Sequence, residues 1–267
     1  MRKHLRFVVF LALGIGLCGL PAGAADKPPA GKTKLRVVVV VGGHGYDTKQ
    51  FPKTFEGNDD IAFEIRDMKK KGSPGVFEDV ADWPYDVMVL FNFGQDPSEK
   101  ERANFLKLMD RGVGLVILHH AIAGFPNWDE YEKILGAKYY LAPVEKDGVK
   151  YARSVWKEGV DIKVHVEDPN HPITKGVKDF TLHDETYTKW TYHPGNRLLL
   201  TTDNPLNNKQ LAWVRTYRKS RVFFFQLGHG PGAFLDKSFQ HVVAQGIRWC
   251  AGRLGEAPKA AASKENK

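Results

Sequence analysis

The stretch Gly114-Leu115-Val116-Ile117-Leu118-His119-His120-Ala121 constrains the fold more than any other part of the chain. Four consecutive apolar residues after a glycine suit a strand covered on both faces, since a half-exposed strand would alternate with polar residues. Two histidines stand where that strand ends, and open parallel sheets collect their ligands at strand carboxyl ends. Three further histidines occupy comparable places: His44 in Val41-Gly42-Gly43-His44-Gly45-Tyr46, His183 in Leu182-His183-Asp184-Glu185-Thr186-Tyr187, and His229 in Gln226-Leu227-Gly228-His229-Gly230-Pro231. The expectation is that these groups converge on one pocket.

The flanking sequence supplies the rest of such a sheet. Leu35 to Val41 reads as a central strand that stops at Gly42-Gly43, Asp86 to Phe91 as a second, and Phe63 to Ile65 as a shorter one between them. Ser98-Glu99-Lys100-Glu101 has capping-box spacing, Phe105, Leu106 and Met109 share a face, and Gly112 follows. That predicts a helix of about three turns leading into the Gly114 strand. Strand, helix and strand in this order form a right-handed crossover and hence a parallel pair. After His120, Asn127 is expected to cap a short helix carrying Trp128, Tyr131, Ile134 and Leu135 and ended by Gly136. Asp161 to Val166 alternates like a half-exposed strand, and Arg197 to Thr201, Leu211 to Thr216 and Val222 to Gln226 add three more, the last two joined by a turn at Tyr217 to Ser220. Phe239, Val242, Val243, Gly246, Ile247 and Cys250 follow helical spacing up to Gly252.

The two ends of the chain read differently. Residues 1–24 combine Arg2, Lys3 and Arg6 with the apolar run Phe7 to Leu20 and the small residues Pro21-Ala22-Gly23-Ala24, which predicts a signal peptide cleaved near Ala24 and a periplasmic or secreted protein. Residues 25–33 form a Pro/Gly linker, 34–254 the folded domain, and 255–267 an Ala/Lys/Glu tail too polar to fold alone. The chain carries 39 Lys+Arg against 31 Asp+Glu; the leader holds three of the basic residues and no acidic one, which leaves a surplus of five. That surplus is spread along the sequence without a basic block or finger spacing, so nucleic acid is not expected as a partner. Beyond the leader nothing has the length of a membrane span, so stable membrane insertion is not expected either. Without Cys18 in the leader, Cys250 stands alone, which rules out an intrachain disulfide and a thiolate metal cluster.

Six ordered motifs carry a family resemblance. Val41 to Asp47, Leu118-His119-His120-Ala121, Trp128-Asp129-Glu130-Tyr131 with Leu135-Gly136, His171-Pro172-Ile173-Thr174-Lys175-Gly176, Asp184-Glu185-Thr186-Tyr187, and Val222 to Pro231 resemble ThuA-like domains, the trehalose-utilisation family. The resemblance spans Lys34 to Gly252. It implies an α/β fold, a three-layer α/β/α sandwich with a mainly parallel central sheet, similar to class I glutamine amidotransferases and flavodoxin-like folds. It also implies bacterial carbohydrate metabolism, with a small-molecule carbohydrate as partner: a disaccharide, a glycoside or an oxidised 3-keto derivative. One departure matters. Where the amidotransferases place a nucleophilic cysteine after a central strand, this chain has His119-His120-Ala121, and a Gly-x-Ser-x-Gly elbow is missing too. Thiol-dependent glutamine hydrolysis is therefore not expected.

The chemistry is left to imidazoles and carboxylates. His44, His120, Glu185 and His229 are the candidate catalytic residues, since imidazole exchanges protons near neutral pH. A divalent metal such as zinc is the other reading, held by His44, His120 and His229, because a catalytic zinc commonly takes three protein ligands. His119, Trp128, His183, Asp184 and Tyr187 are candidates for binding substrate. On a strand Asp184 and Glu185 would face opposite ways, with Glu185 assigned to the pocket. His119 would oppose His120 as a packed residue if the strand persists, and the helical spacing of Trp128 and Tyr131 equally suits a core role. His171 is read as a structural turn residue. The functional readings are a sugar lyase, hydrolase or isomerase, and a non-catalytic sugar-binding protein on the same fold.

Overall fold

The structure is a computed structural model that describes residues 33–69 and 75–255. The signal peptide at 1–24, the linker up to residue 32 and the tail from 256 lie outside the described residues. Among the described residues no helix is long and apolar enough to cross a membrane.

Five strands form the parallel half of the central sheet: β1 (Leu35–Gly42), β2 (Ile61–Asp67), β3 (Val87–Asn92), β4 (Gly114–Leu118) and, late in the chain, β13 (Ser220–Phe225). Their order is β2-β1-β3-β4-β13, so β1 lies where the winding reverses direction. Crevices at such a reversal open beyond the strand carboxyl ends. The β-branched run of β1 splits between two cores: Val37, Val39 and Val41 face one, Val38 and Val40 the other. Burying each aliphatic side chain contributes about 1.5–3 kcal/mol, which is why the strand holds on both faces.

Helix α1 (Glu99–Arg111) and the short α2 (Asp129–Leu135) cover one face; α3 (Pro231–Phe234), a single turn, and α4 (Lys237–Cys250) lie on the other. The capping box at α1 forms as its spacing requires, with Ser98 and Glu101 bonding reciprocally and Gly112 left-handed at the end. The N-cap of α2 is Trp128, without a side-chain bond. Asn127 instead donates its side-chain amide to Asp96 at 2.7 Å, because the neighbouring loop offers a carboxylate. At Gly246 a Cβ would lie 2.3 Å from the Phe223 ring, so only glycine lets α4 approach β13 this closely.

An antiparallel half extends the sheet through β12 (Gln210–Tyr217), β11 (Arg197–Thr201), β8 (Val155–Val166) and β9 (Phe180–Thr188). Two small pairs complete the strands: β5 (Ala137–Lys138) with β10 (Thr191–Tyr192), and β6 (Val144–Lys146) with β7 (Val149–Tyr151). Sequence periodicity misses β9 and starts β8 six residues late. In β9 the polar run Thr181, His183, Asp184 and Glu185 hides the strand signal, because its buried polar side chains bond to the protein rather than to water.

Candidate functional site

The parallel strands and β9 deliver five groups to one end of the sheet. His44 follows β1, His119 and His120 follow β4, His229 follows β13, and Glu185 lies on β9. The ring of His120 is 4.8 Å from that of His44 and 5.1 Å from that of His119, and the His119 and His229 rings are 5.2 Å apart. His44, His120, Glu185 and Tyr187 line one cavity of about 240 Å³. His229 touches it through Glu185, with Nδ1 3.4 Å from the carboxylate.

Strand β4 ends at Leu118, so His119 does not continue its alternation. Its backbone adopts φ +51°, left-handed for a residue with a Cβ, and a 3-10 turn over His119–Ala123 begins there. Such a conformation costs about 1–3 kcal/mol and survives only where the surroundings enforce it. The enforcing contacts are visible: the side chain is fully buried, Nδ1 lies 2.8 Å from the Gln226 carbonyl, and the ring stacks on Tyr187. In α/β-hydrolases a strained strand-to-helix turn exposes the nucleophile; the comparable turn here carries an imidazole. The buried reading of His119 therefore holds, but its ring points to the other histidines.

Three carbonyl oxygens set three tautomers, because a carbonyl can only accept. His44 donates from Nδ1 to Gly45 at 2.7 Å, His119 from Nδ1 to Gln226, and His120 from Nε2 to Phe91 at 3.1 Å. The remaining nitrogen of each ring carries a lone pair, which on His119 meets the Tyr187 hydroxyl at 3.0 Å. For His120 that atom, Nδ1, is buried without a hydrogen-bond partner among the described residues. Burial, then the neighbouring His119 and His44, push the His120 imidazole well below the ordinary histidine range, so it stays neutral.

Glu185 sits at the centre of the polar contacts. Its Oε2 accepts from the Tyr187 hydroxyl at 2.8 Å and lies 3.1 Å from His119 Nε2. Burial raises its carboxyl, but the adjacent His119, the Tyr187 hydroxyl and His229 together outweigh that and hold it below the usual carboxylate range. Burial, then the charge of Glu185, push the Tyr139 hydroxyl up to about 12. Asp184 faces away from the cavity and accepts the backbone N–H groups of Gly228 and His229.

Of the five substrate-binding candidates only Tyr187 lines the cavity; His119 is sealed beneath it, Asp184 faces away, and Trp128 and His183 lie elsewhere. Trp128 is buried in the core against Phe105 and Phe125, because its helical spacing with Tyr131 serves packing. His183 is two-thirds exposed and paired with Asp161 of β8 at 2.7 Å, away from the other histidines. Sequence reasoning also missed three residues at the mouth: Arg153, Trp156 and Glu158. A register shift in the β8–β9 ladder follows Lys157, and Gly159 there has φ +67°. That bulge re-aims Glu158, bringing it to 3.6 Å from His229 Nε2. The available signal was Glu158-Gly159 interrupting an otherwise extended run.

The arrangement defines a class: a glutamine amidotransferase-like sandwich whose strand-end site is built from imidazoles and a carboxylate. Cys250 is buried in α4, bonded to the Leu115 carbonyl, with its thiol pushed up by burial. The chain belongs to the ThuA family, whose description is trehalose utilisation and whose profile matches residues 36–250. It is similar to a ThuA-like protein of Parabacteroides merdae, at 20% identity and TM-score 0.70, covering 86% of this chain and 94% of that one. A ThuA-like protein of Bacteroides uniformis is similar at 21% identity and TM-score 0.59, with 87% and 95% covered. The fold likeness extends to PurLQS of Thermotoga maritima at 14% identity and TM-score 0.51, with 81% and 99% covered. No curated protein matches the chain.

Proposed function

We propose that this protein is a periplasmic or secreted enzyme that processes a glycoside, disaccharide or 3-keto-sugar by proton transfer between imidazole and carboxylate groups. The observation that carries this reading is the bare Nδ1 of His120, buried in the same cavity as Glu185 and Tyr187. A neutral imidazole without a protein partner is a base waiting for a ligand proton. A carbonyl at C3 of a sugar acidifies the neighbouring C2–H, and His120 Nδ1 is suited to take that proton. Electrons from the broken C–H bond then pass to the carbonyl oxygen as an enolate. The Tyr187 hydroxyl and the imidazoles offer the return proton.

The cavity dimensions favour a sugar ring. Its volume of about 240 Å³ is below the roughly 300–1,000 Å³ of drug-sized pockets, so one ring fits inside and a second extends into the mouth. There Trp156, half exposed, offers a flat face on which the apolar side of a pyranose packs. The test is incubation of the pure protein with trehalose and with 3-keto-trehalose, followed by NMR of the products. Turnover by the wild type and its loss in His120→Ala support the enzyme; saturable sugar binding without any product supports the non-catalytic sugar-binding alternative.

A further inference from the structure

Three ligand-type atoms meet beneath the cavity in a geometry that the acid–base reading does not use. His119 Nε2 is 3.1 Å from His229 Nδ1 and 3.1 Å from Glu185 Oε2, and the third side, from His229 Nδ1 to Glu185 Oε2, is 3.4 Å. The His119 tautomer fixed by Gln226 leaves a lone pair on Nε2. His229 presents Nδ1 to the same point, within hydrogen-bond distance of His119 Nε2, and its Nε2 lies 3.6 Å from the Glu158 carboxylate. The Glu185 carboxylate only accepts. The Tyr187 hydroxyl stands beside these atoms, 2.8 Å from Glu185 and 3.0 Å from His119.

Two imidazole nitrogens and a carboxylate oxygen that converge in this way can share one cation in place of the protons between them. Two atoms bound at about 2.0–2.1 Å to one tetrahedral zinc stand about 3.3 Å apart, close to each side of this triangle. We propose that His119, Glu185 and His229 form a three-ligand site for a divalent cation of the zinc type. This differs from a site of His44, His120 and His229: His44 and His120 contribute to the wall of the cavity, and His119 and Glu185 take their places as ligands. Two histidines and one glutamate are a donor set that binds zinc and leaves a fourth position for water or substrate. Each ligand has an outer partner that orients it: the Gln226 carbonyl for His119, Glu158 for His229 and the Tyr187 hydroxyl for Glu185. His119 is sealed, whereas the His229 side chain is 30% exposed, so the triangle can be reached from one side.

The experiment measures metal directly. Purified full chain is stripped with chelator, loaded with zinc chloride, desalted and assayed for zinc, and the apo-protein is titrated with cobalt chloride while visible absorption is recorded. One equivalent of zinc and the intense bands of four-coordinate cobalt are expected. In Glu185→Gln, which keeps the side-chain shape, affinity should fall at least about tenfold, a loss that outer-shell changes alone can reach. His229→Ala should abolish the cobalt bands, and His241→Ala, on the exposed side of α4, should keep them. Zinc should also raise the melting temperature of the wild type and not of Glu185→Gln, by mass action on the folded state. Folded wild type without retained zinc, or equal retention in Glu185→Gln and His229→Ala, would overturn the site. Since no sugar is added, failure here leaves the turnover assay to decide the carbohydrate reading separately.

Discussion

The carboxylate of Asp184 accepts the backbone N–H of His229 at 2.9 Å across 45 residues of sequence. Its other oxygen takes the Gly228 N–H at 2.7 Å. The last strand in sheet order thus holds the loop after β13, four strands away in that order. Asp184→Ala removes a charged acceptor and strands two N–H groups, one of them on buried Gly228, at a cost of about 2–4 kcal/mol. Urea denaturation checks the magnitude, and a loss under about 0.5 kcal/mol, the scale of neutral surface changes, would show that the loop is held by other contacts.

His120 is expected to remain neutral, with its proton on Nε2, below the pH of about 6.5 at which an ordinary imidazole is half protonated. The sign follows from the downward push of burial and of the nearby His119 and His44: a lowered imidazole pKa keeps the base form well into acid. Nitrogen-15 chemical shifts of the ring report tautomer and charge together. An imidazolium signal at pH 6 would contradict the assignment. Its replacement by alanine should cut sugar turnover about 10²–10⁴-fold, the usual contribution of a positioned base.

Trp156 is 51% exposed and lines the cavity mouth. Trp156→Ala should raise KM for a disaccharide with kcat little changed, while stability moves by less than about 0.5 kcal/mol, as for other surface sites. Steady-state kinetics on the long and short substrate test this. An equal effect on a monosaccharide would place the ring stacking inside the cavity instead.

Stability should fall in mild acid through His171. This residue is buried against Trp249, its Nδ1 accepts the Ile173 N–H, and burial with the nearby Arg197 lowers its pKa to about 4. The unfolded chain takes up that proton near pH 6.5 while the folded one does not, so stability is full above that value and declines down to about pH 4. The shift is worth about 3 kcal/mol at its limit. His171→Gln should flatten the dependence of the urea midpoint on pH between 6.5 and 4.

The Cys250 thiol should stay silent toward Ellman's reagent in the folded protein. Burial pushes its pKa up, and the thiolate is the reacting form. Reaction should appear only with denaturant, at the rate of unfolding. Rapid labelling of the native chain would reveal an opening of α4 from β4.

The parallel half of the fold is legible residue by residue. Leu35 to Val41 and Leu115 to Leu118 announce strands covered twice, and Ser98, Glu101 and Gly112 mark both ends of α1, because these signals act within a few residues of themselves. The placement of histidines after strand ends is also readable, since glycines bracket His44 and His229. Which atoms meet is not. Sequence spacing favours His44 and His120 beside His229, whereas the shortest contacts join His119, Glu185 and His229. That outcome depends on the left-handed turn at His119, the bulge before Val160 and the hold of Asp184 on the His229 backbone. Local periodicity reports which face a residue takes in a regular element. Convergence of ligands is decided by where regularity stops and by contacts more than a hundred residues apart, and only the folded chain brings those together.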